Sequence, residues 1–162
     1  MEGFVLRRDL SDGVHPLSAL ATGLDAVPVL VRLVGGKTAL ARFVESVEVH
    51  VVPGDGYMWI DDVHGRLCVA QSYLREGPDR GIYVDLVHEL VHIVQWKDGR
   101  ELFDQTYTYV DRPTEIEAYR AGVEEARRIG MTEEEIAEYL RVDWVGDEDH
   151  RRLCQHCGVK PP

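Results

Sequence analysis

The sequence predicts a single mixed α+β domain over residues 1–162: N-terminal helices, a small antiparallel sheet, then a helical second half. Three observations lead there. Residues 15–46 carry helix signals, residues 47–70 switch to short β-branched and aromatic runs, and residues 82–94 return to an apolar pattern that covers a helix almost all round. With 162 residues, 44% of them hydrophobic and 29% charged, the chain can bury one core without disulfide staples.

Taken in order, Pro16 suits a first helical turn, and Asp25 is placed as the cap of a second helix, AVPVLVRLV, stopped by Gly35-Gly36. KTALARFVES forms a third short helix. From Val47, VEVHVV, YMWID and RLCVA read as strands separated by the turns PGDG and DDVHG, an antiparallel hairpin or three-stranded sheet. Gly77-Pro78-Asp79 opens the apolar helix, which ends at Lys97-Asp98-Gly99. After the loop FDQTYTYVDR, Pro113-Thr114 starts a helix that runs to Gly130, and Thr132 with Glu135 forms a capping-box pattern before EEEIAEYLRV. The tail from residue 146 to residue 162, GDEDHRRLCQHCGVKPP, shows no apolar period and is expected to be flexible or metal-binding.

Charge narrows the function classes. A formal net charge of -11, from 18 basic and 29 acidic side chains, repels a phosphate backbone, so no nucleic-acid partner is expected. The longest apolar run, VPVLVRLVGG, is too short for a bilayer, and the first residues lack a secretory h-region, so no membrane partner and a cytoplasmic location are expected. Three cysteines, Cys68, Cys154 and Cys157, do not make a disulfide framework.

The chemistry gathers in DLVHELVHIVQW. Three polar residues, His88, Glu89 and His92, interrupt a helix that is otherwise apolar, and buried polar groups without partners cost a few kcal/mol each. Positions 88 and 92 lie about 40° apart around a helix, so one zinc ion can bridge both imidazoles. Glu89, on the adjacent edge, can reach a metal-activated water as a general base without being a ligand. A chain of this composition shows the bare HExxH pattern by chance about 3% of the time, so context decides. Here that context is the most apolar helix and a third ligand further on. In RPTEIEAYRAGVEEARRIG, Glu115 shares a stripe with Ala118, Tyr119, Gly122 and Ala126, mostly small residues that allow close helix approach, whereas Glu117 shares a charged face with Arg120, Glu124 and Arg128. Glu115 is therefore the expected metal ligand, and Glu117 a structural residue in position to complete a capping box with Thr114.

HELVH followed 23 residues after His92 by Glu115-x-x-Ala118 resembles the gluzincin group of zinc metallopeptidases, in particular its minimal soluble members, the minigluzincins, and the peptidase module of radiation-response and phage-antitoxin regulators. The match covers about residues 47–130. The resemblance implies a zincin-like fold with an active-site helix and a glutamate helix. It also implies zinc held by His88, His92 and Glu115, and peptide-bond hydrolysis by a zinc-bound water with Glu89 as general base. A peptide or protein would be the substrate, paired with a strand among residues 57–72. The family's usual Asp after Glu-x-x-Ala is here Tyr119, so the partner of a ligand histidine has to come from elsewhere, with Asp85 and Asp111 as candidates. Tyr107 and Tyr109 are candidates for the oxyanion donor by placement alone.

Two alternatives stand beside hydrolysis: a regulatory or binding protein that keeps scaffold and metal but hydrolyses little, and a purely structural metal site. The tail residues His150, Cys154, His156 and Cys157 suggest a second metal, or a device in which a tail thiolate or imidazole caps the zinc, beside the plainer reading of incidental thiols. His64 reads as a solvated turn residue, His50 as a sheet residue, and Trp59, Trp96 and Trp144 as packing.

Overall fold

The computed structural model describes residues 3–161; Met1, Glu2 and Pro162, the ends of the expected domain, lie outside the described residues. The chain runs through β1 (Val5–Leu6), β2 (Gly13–Pro16), α1 (Leu17–Leu20), β3 (Ala21–Thr22), α2 (Pro28–Val34) and α3 (Lys37–Ser46). Next come β4 (Glu48–Val52), β5 (Met58–Asp61), β6 (Arg66–Ala70), α4 (Gln71–Glu76) and α5 (Asp79–Lys97). A 3-10 turn at Tyr109–Asp111 leads into α6 (Pro113–Arg128), α7 (Glu133–Tyr139) and α8 (Asp147–His156). The architecture is α+β. Among the described residues no helix is long and apolar enough to cross a membrane.

The sheet differs from the expected antiparallel one. Its order is β2-β4-β6-β5, with β4 and β6 parallel and the outer pairs antiparallel. The reason lies in burial: β6 is buried along nearly its whole length and takes an inner position, whereas β5 alternates, with Trp59 outward, as an edge strand can. The PGDG segment therefore carries the chain past β6's place instead of closing a hairpin. The other edge is β2, whose second half, His15 and Pro16, comes from the stretch expected to be helical. His15 pairs with Val49, and Pro16 at the strand's end is tolerated because its strand lies on an edge.

The first two helices are shorter than expected, whereas α3 spans KTALARFVES in full, as expected. Pro16 precedes α1, and α2 starts with Pro28 as its first residue after Val27, not at Asp25. It stops where expected, at Gly35 with φ of 86°, a left-handed conformation that glycine adopts without Cβ strain. The Thr132–Glu135 capping box forms in full.

The tail is not irregular. Helix α8 buries His150, Leu153 and Cys154, and Cys157 follows on the same face, a spacing of three and four residues that is hidden when His and Cys are scored as polar. Trp96 is anchored through its indole N–H to the Asp62 carbonyl at 2.7 Å, and the turn passes so close that a Cβ on Gly65 would lie 2.2 Å from the Trp96 ring. Trp59 and Trp144, expected to pack, are 41% and 58% exposed.

Candidate metal centre

Helix α5 is buried because β5, β6, α2 and α6 all pack against it. Its closest neighbour is α6, which approaches at Gly122, where a Cβ would stand 3.3 Å from a Val84 methyl. The small-residue stripe thus places Glu115, at the start of α6, opposite the histidines. His88, His92 and Glu115 are 6%, 4% and 4% exposed.

Their donor atoms converge. Nε2 of His88 and Nε2 of His92 are 3.0 Å apart, and Glu115 Oε2 lies 3.5 and 3.4 Å from them. Ligands at 2.0–2.2 Å in tetrahedral directions stand about 3.3–3.6 Å apart, so this triangle suits one metal ion. Glu115 Oε2 is buried without a hydrogen-bond partner, a cost that a cation at the triangle's centre would remove. Among the described residues this is the one group of three or more His, Cys, Asp or Glu side chains arranged to hold a metal.

Second contacts orient the ligands unequally. His92 Nδ1 donates to Gln95 Oε1 at 2.8 Å, which leaves Nε2 free to bind a metal. Gln95 in turn donates to the Thr114 carbonyl at 3.1 Å and to Glu117 Oε2 at 2.8 Å, and Glu117 is paired with Arg100. Glu117 therefore supports Gln95. It forms no capping box with Thr114, whose hydroxyl donates to the Leu102 carbonyl. His88 has no such support: its Nδ1 is buried without a partner, and the Tyr119 ring stands edge-on to it with centroids 4.3 Å apart. Neither expected aspartate reaches a ligand. Asp85 accepts from Tyr73, and Asp111 binds Arg152 and His156, each at 3.0 Å. Gln95 was not singled out from the sequence, although a polar residue three positions after His92 in an apolar helix is a usable signal.

Charge states follow from enclosure. Burial pushes the Glu89 carboxyl up to about 8, with Glu115 and Asp85 adding to the effect and His92 opposing it; the charge of a bound metal would pull it down again. Burial disfavours a charged Glu115, yet His88 and His92 outweigh it and hold that carboxyl well below the usual range. Burial lowers the His88 pKa.

A cavity of about 170 Å³ adjoins the triad, and His88, Glu89 and Asp85 line its inner wall. Tyr109 also lines it and shares a 2.7 Å hydrogen bond with the Tyr119 hydroxyl, whereas Tyr107 lies outside and is 45% exposed. The C-terminal His and Cys residues do not join the site. His150 Nε2 donates to the Ala137 carbonyl at 2.8 Å, Cys154 and Cys157 are in the core, and burial pushes the Cys157 thiol up to about 12. No tail thiolate caps the triad. Comparison of the chain with protein-family models, curated proteins and solved structures finds no match in any of the three.

Proposed function

We propose that this protein is a zinc metallopeptidase of gluzincin type, zincin-like in fold, that works in the cytoplasm on a peptide or protein substrate. The observation that carries the reading is the convergence of His88, His92 and the unpartnered Glu115 oxygen beside a cavity lined by Glu89. Two imidazoles and one carboxylate are a donor set that zinc accepts, with a fourth position left open. A zinc ion there would supply Lewis acidity to a peptide carbonyl and acidify a water.

The chain's own residues supply the rest. Glu89 takes the proton of the attacking water and delivers it to the leaving amine, and the burial that raises its pKa makes its carboxylate the stronger base for the first of these transfers. Tyr109, on the cavity wall, is the better placed of the two expected oxyanion donors. Edge strand β5 offers its free side to an extended substrate, and Tyr57 and Met58 at its start reach the cavity. The test is zinc content and hydrolysis of a peptide library by wild type and Glu89→Gln: about one zinc per chain in both, with turnover in wild type alone.

One observation favours the second reading, a regulatory or binding protein with little hydrolysis. His88 lacks the hydrogen bond that normally fixes a ligand imidazole, because Tyr119 stands where the family has Asp. In that case Glu89→Gln leaves the protein's effect in cells intact.

A further inference from the structure

The cavity beside the triad has an unusual wall. Tyr73 meets Tyr57 with ring centroids 5.5 Å apart, Tyr57 meets Trp144 at 6.1 Å, and Trp144 meets Tyr109 at 5.8 Å. Tyr109 continues to Tyr119, and Tyr119 to Tyr139, each at 6.4 Å. Asp85 closes this circuit: its carboxylate accepts from Tyr73 and faces the Tyr139 hydroxyl. Six aromatic rings, each turned edge to face on the next, thus line the cavity together with the acids Glu89 and Asp143, the latter accepting from Tyr57, while Asp85 stands between Tyr73 and Tyr139.

Asp85 has no cation of its own. The groups acting on Asp85 are its burial and the two tyrosines, and no ion pair includes it among the described residues. Arg141, on the cavity rim, is engaged by Asp147 at 3.0 Å and Glu138 at 4.0 Å. Two tyrosine donors leave part of the carboxylate's acceptor capacity unused. Burial lifts the Asp85 pKa to about 6, so at neutral pH the enclosure still holds an anion. Aromatic faces attract cations and their edges pack alkyl stems, which is the composition of ammonium-binding cages. A space of about 170 Å³ takes the end of one residue rather than a large ligand.

We propose that this enclosure is a specificity subsite for an ammonium group, with Asp85 as its counter-ion and the aromatic circuit as its wall, so that the metal centre receives peptides bearing a lysine side chain or a free N-terminal amine. The proposal rests on the peptidase reading only in taking a peptide as the carrier of the amine. Asp85, one helical turn before Glu89, would fix the cationic residue relative to the bond presented to the triad.

The experiment uses the zinc-loaded chain of residues 1–162 and acetylated, amidated polyalanine pentapeptides with Lys or its neutral analogue norleucine at each position in turn. A non-acetylated norleucine set presents the free α-amine. Calorimetry gives Kd, and mass spectrometry of each mixture reads intact and cleaved peptide together. The expected result is tenfold or tighter binding of Lys over norleucine at one position, or of free over acetylated termini, reduced to within twofold by Asp85→Asn. The first pattern assigns the side chain, the second the terminus. Kd values that all fall within twofold, or a folded Asp85→Asn protein that keeps the preference, would overturn the proposal. If Asp85→Asn does not fold, the wild-type Lys-to-norleucine ratio decides alone. Preference without cleavage of any peptide leaves the subsite standing and removes the peptidase reading; cleavage without preference does the reverse.

Discussion

Two regions of this molecule bring histidines together with other metal-binding side chain types, and among the described residues only one of them gathers three donors that could hold a metal ion. On α5 and α6, His88, His92 and Glu115 aim three donor atoms at one point, and the Glu115 oxygen has nothing else to bind. On α8, His150 and Cys154 are just as buried, with Nε2 and Sγ 3.4 Å apart, but the imidazole is already spent on the Ala137 carbonyl. Residue type and burial are alike in both; unsatisfied valence is not. A cluster becomes a candidate site when its lone pairs converge and remain unused, because the ion then replaces a desolvation cost rather than an existing hydrogen bond.

The largest expected effect separates the two regions directly. Glu115→Ala or His92→Ala should take zinc, measured by elemental analysis, from about one per chain to none, whereas Cys154→Ser should leave it at one. The serine variant should instead lose stability, on the order of 1–3 kcal/mol for a hydroxyl placed in the core, seen as a Tm several degrees lower. Zinc loss on Cys154→Ser would dissolve the distinction.

Next in size is the change that spares the metal. Glu89→Gln should keep zinc and lower kcat by roughly 10²–10⁴-fold, the range of a lost general base. Smaller again is the effect of Gln95→Ala. Freeing His92 Nδ1 should weaken zinc affinity about 10–100-fold in a chelator competition, and an unchanged affinity would show that Gln95 does not orient the ring.

A further effect is graded with pH. The folded pKa of Asp85, about 6, lies above its ordinary 3.8, so between those values the folded protein keeps a proton that the unfolded chain has lost. Its contribution to stability is therefore full below about pH 4 and declines as pH rises toward 6, on the order of 1 kcal/mol per pH unit. Urea unfolding of Asp85→Asn should lack that decline.

Much of this was legible in advance, and the failures share a cause. Helices α5 and α6 carry their own periodicity and end signals, so their extents and the faces bearing His88, His92 and Glu115 follow from local geometry, whereas α7 ends at Tyr139, short of the expected Val142. The small-residue stripe of α6 distinguished Glu115 from Glu117 for the same reason. By contrast, Val14 and His15 became an edge strand because β4 had an unpaired side, and β5 moved outward because β6 buries better. Such choices depend on partners distant in sequence.

By itself, then, the sequence determined the α+β class, the helix bearing HELVH and, through the face each occupies on its own helix, His88, His92 and Glu115 as candidates, whereas their convergence came from α6 packing on α5. Tertiary structure alone decided the parallel pairing at the sheet's centre, the support of His92 by Gln95 with none for His88, and the folding of the C-terminal cysteines into the core. It also decided the aromatic circuit around Asp85, whose members come from residues 57 to 144. Spacing along one helix is set by its own backbone, whereas the burial, pairing and unmet hydrogen bonds of a side chain depend on what the rest of the chain places against it.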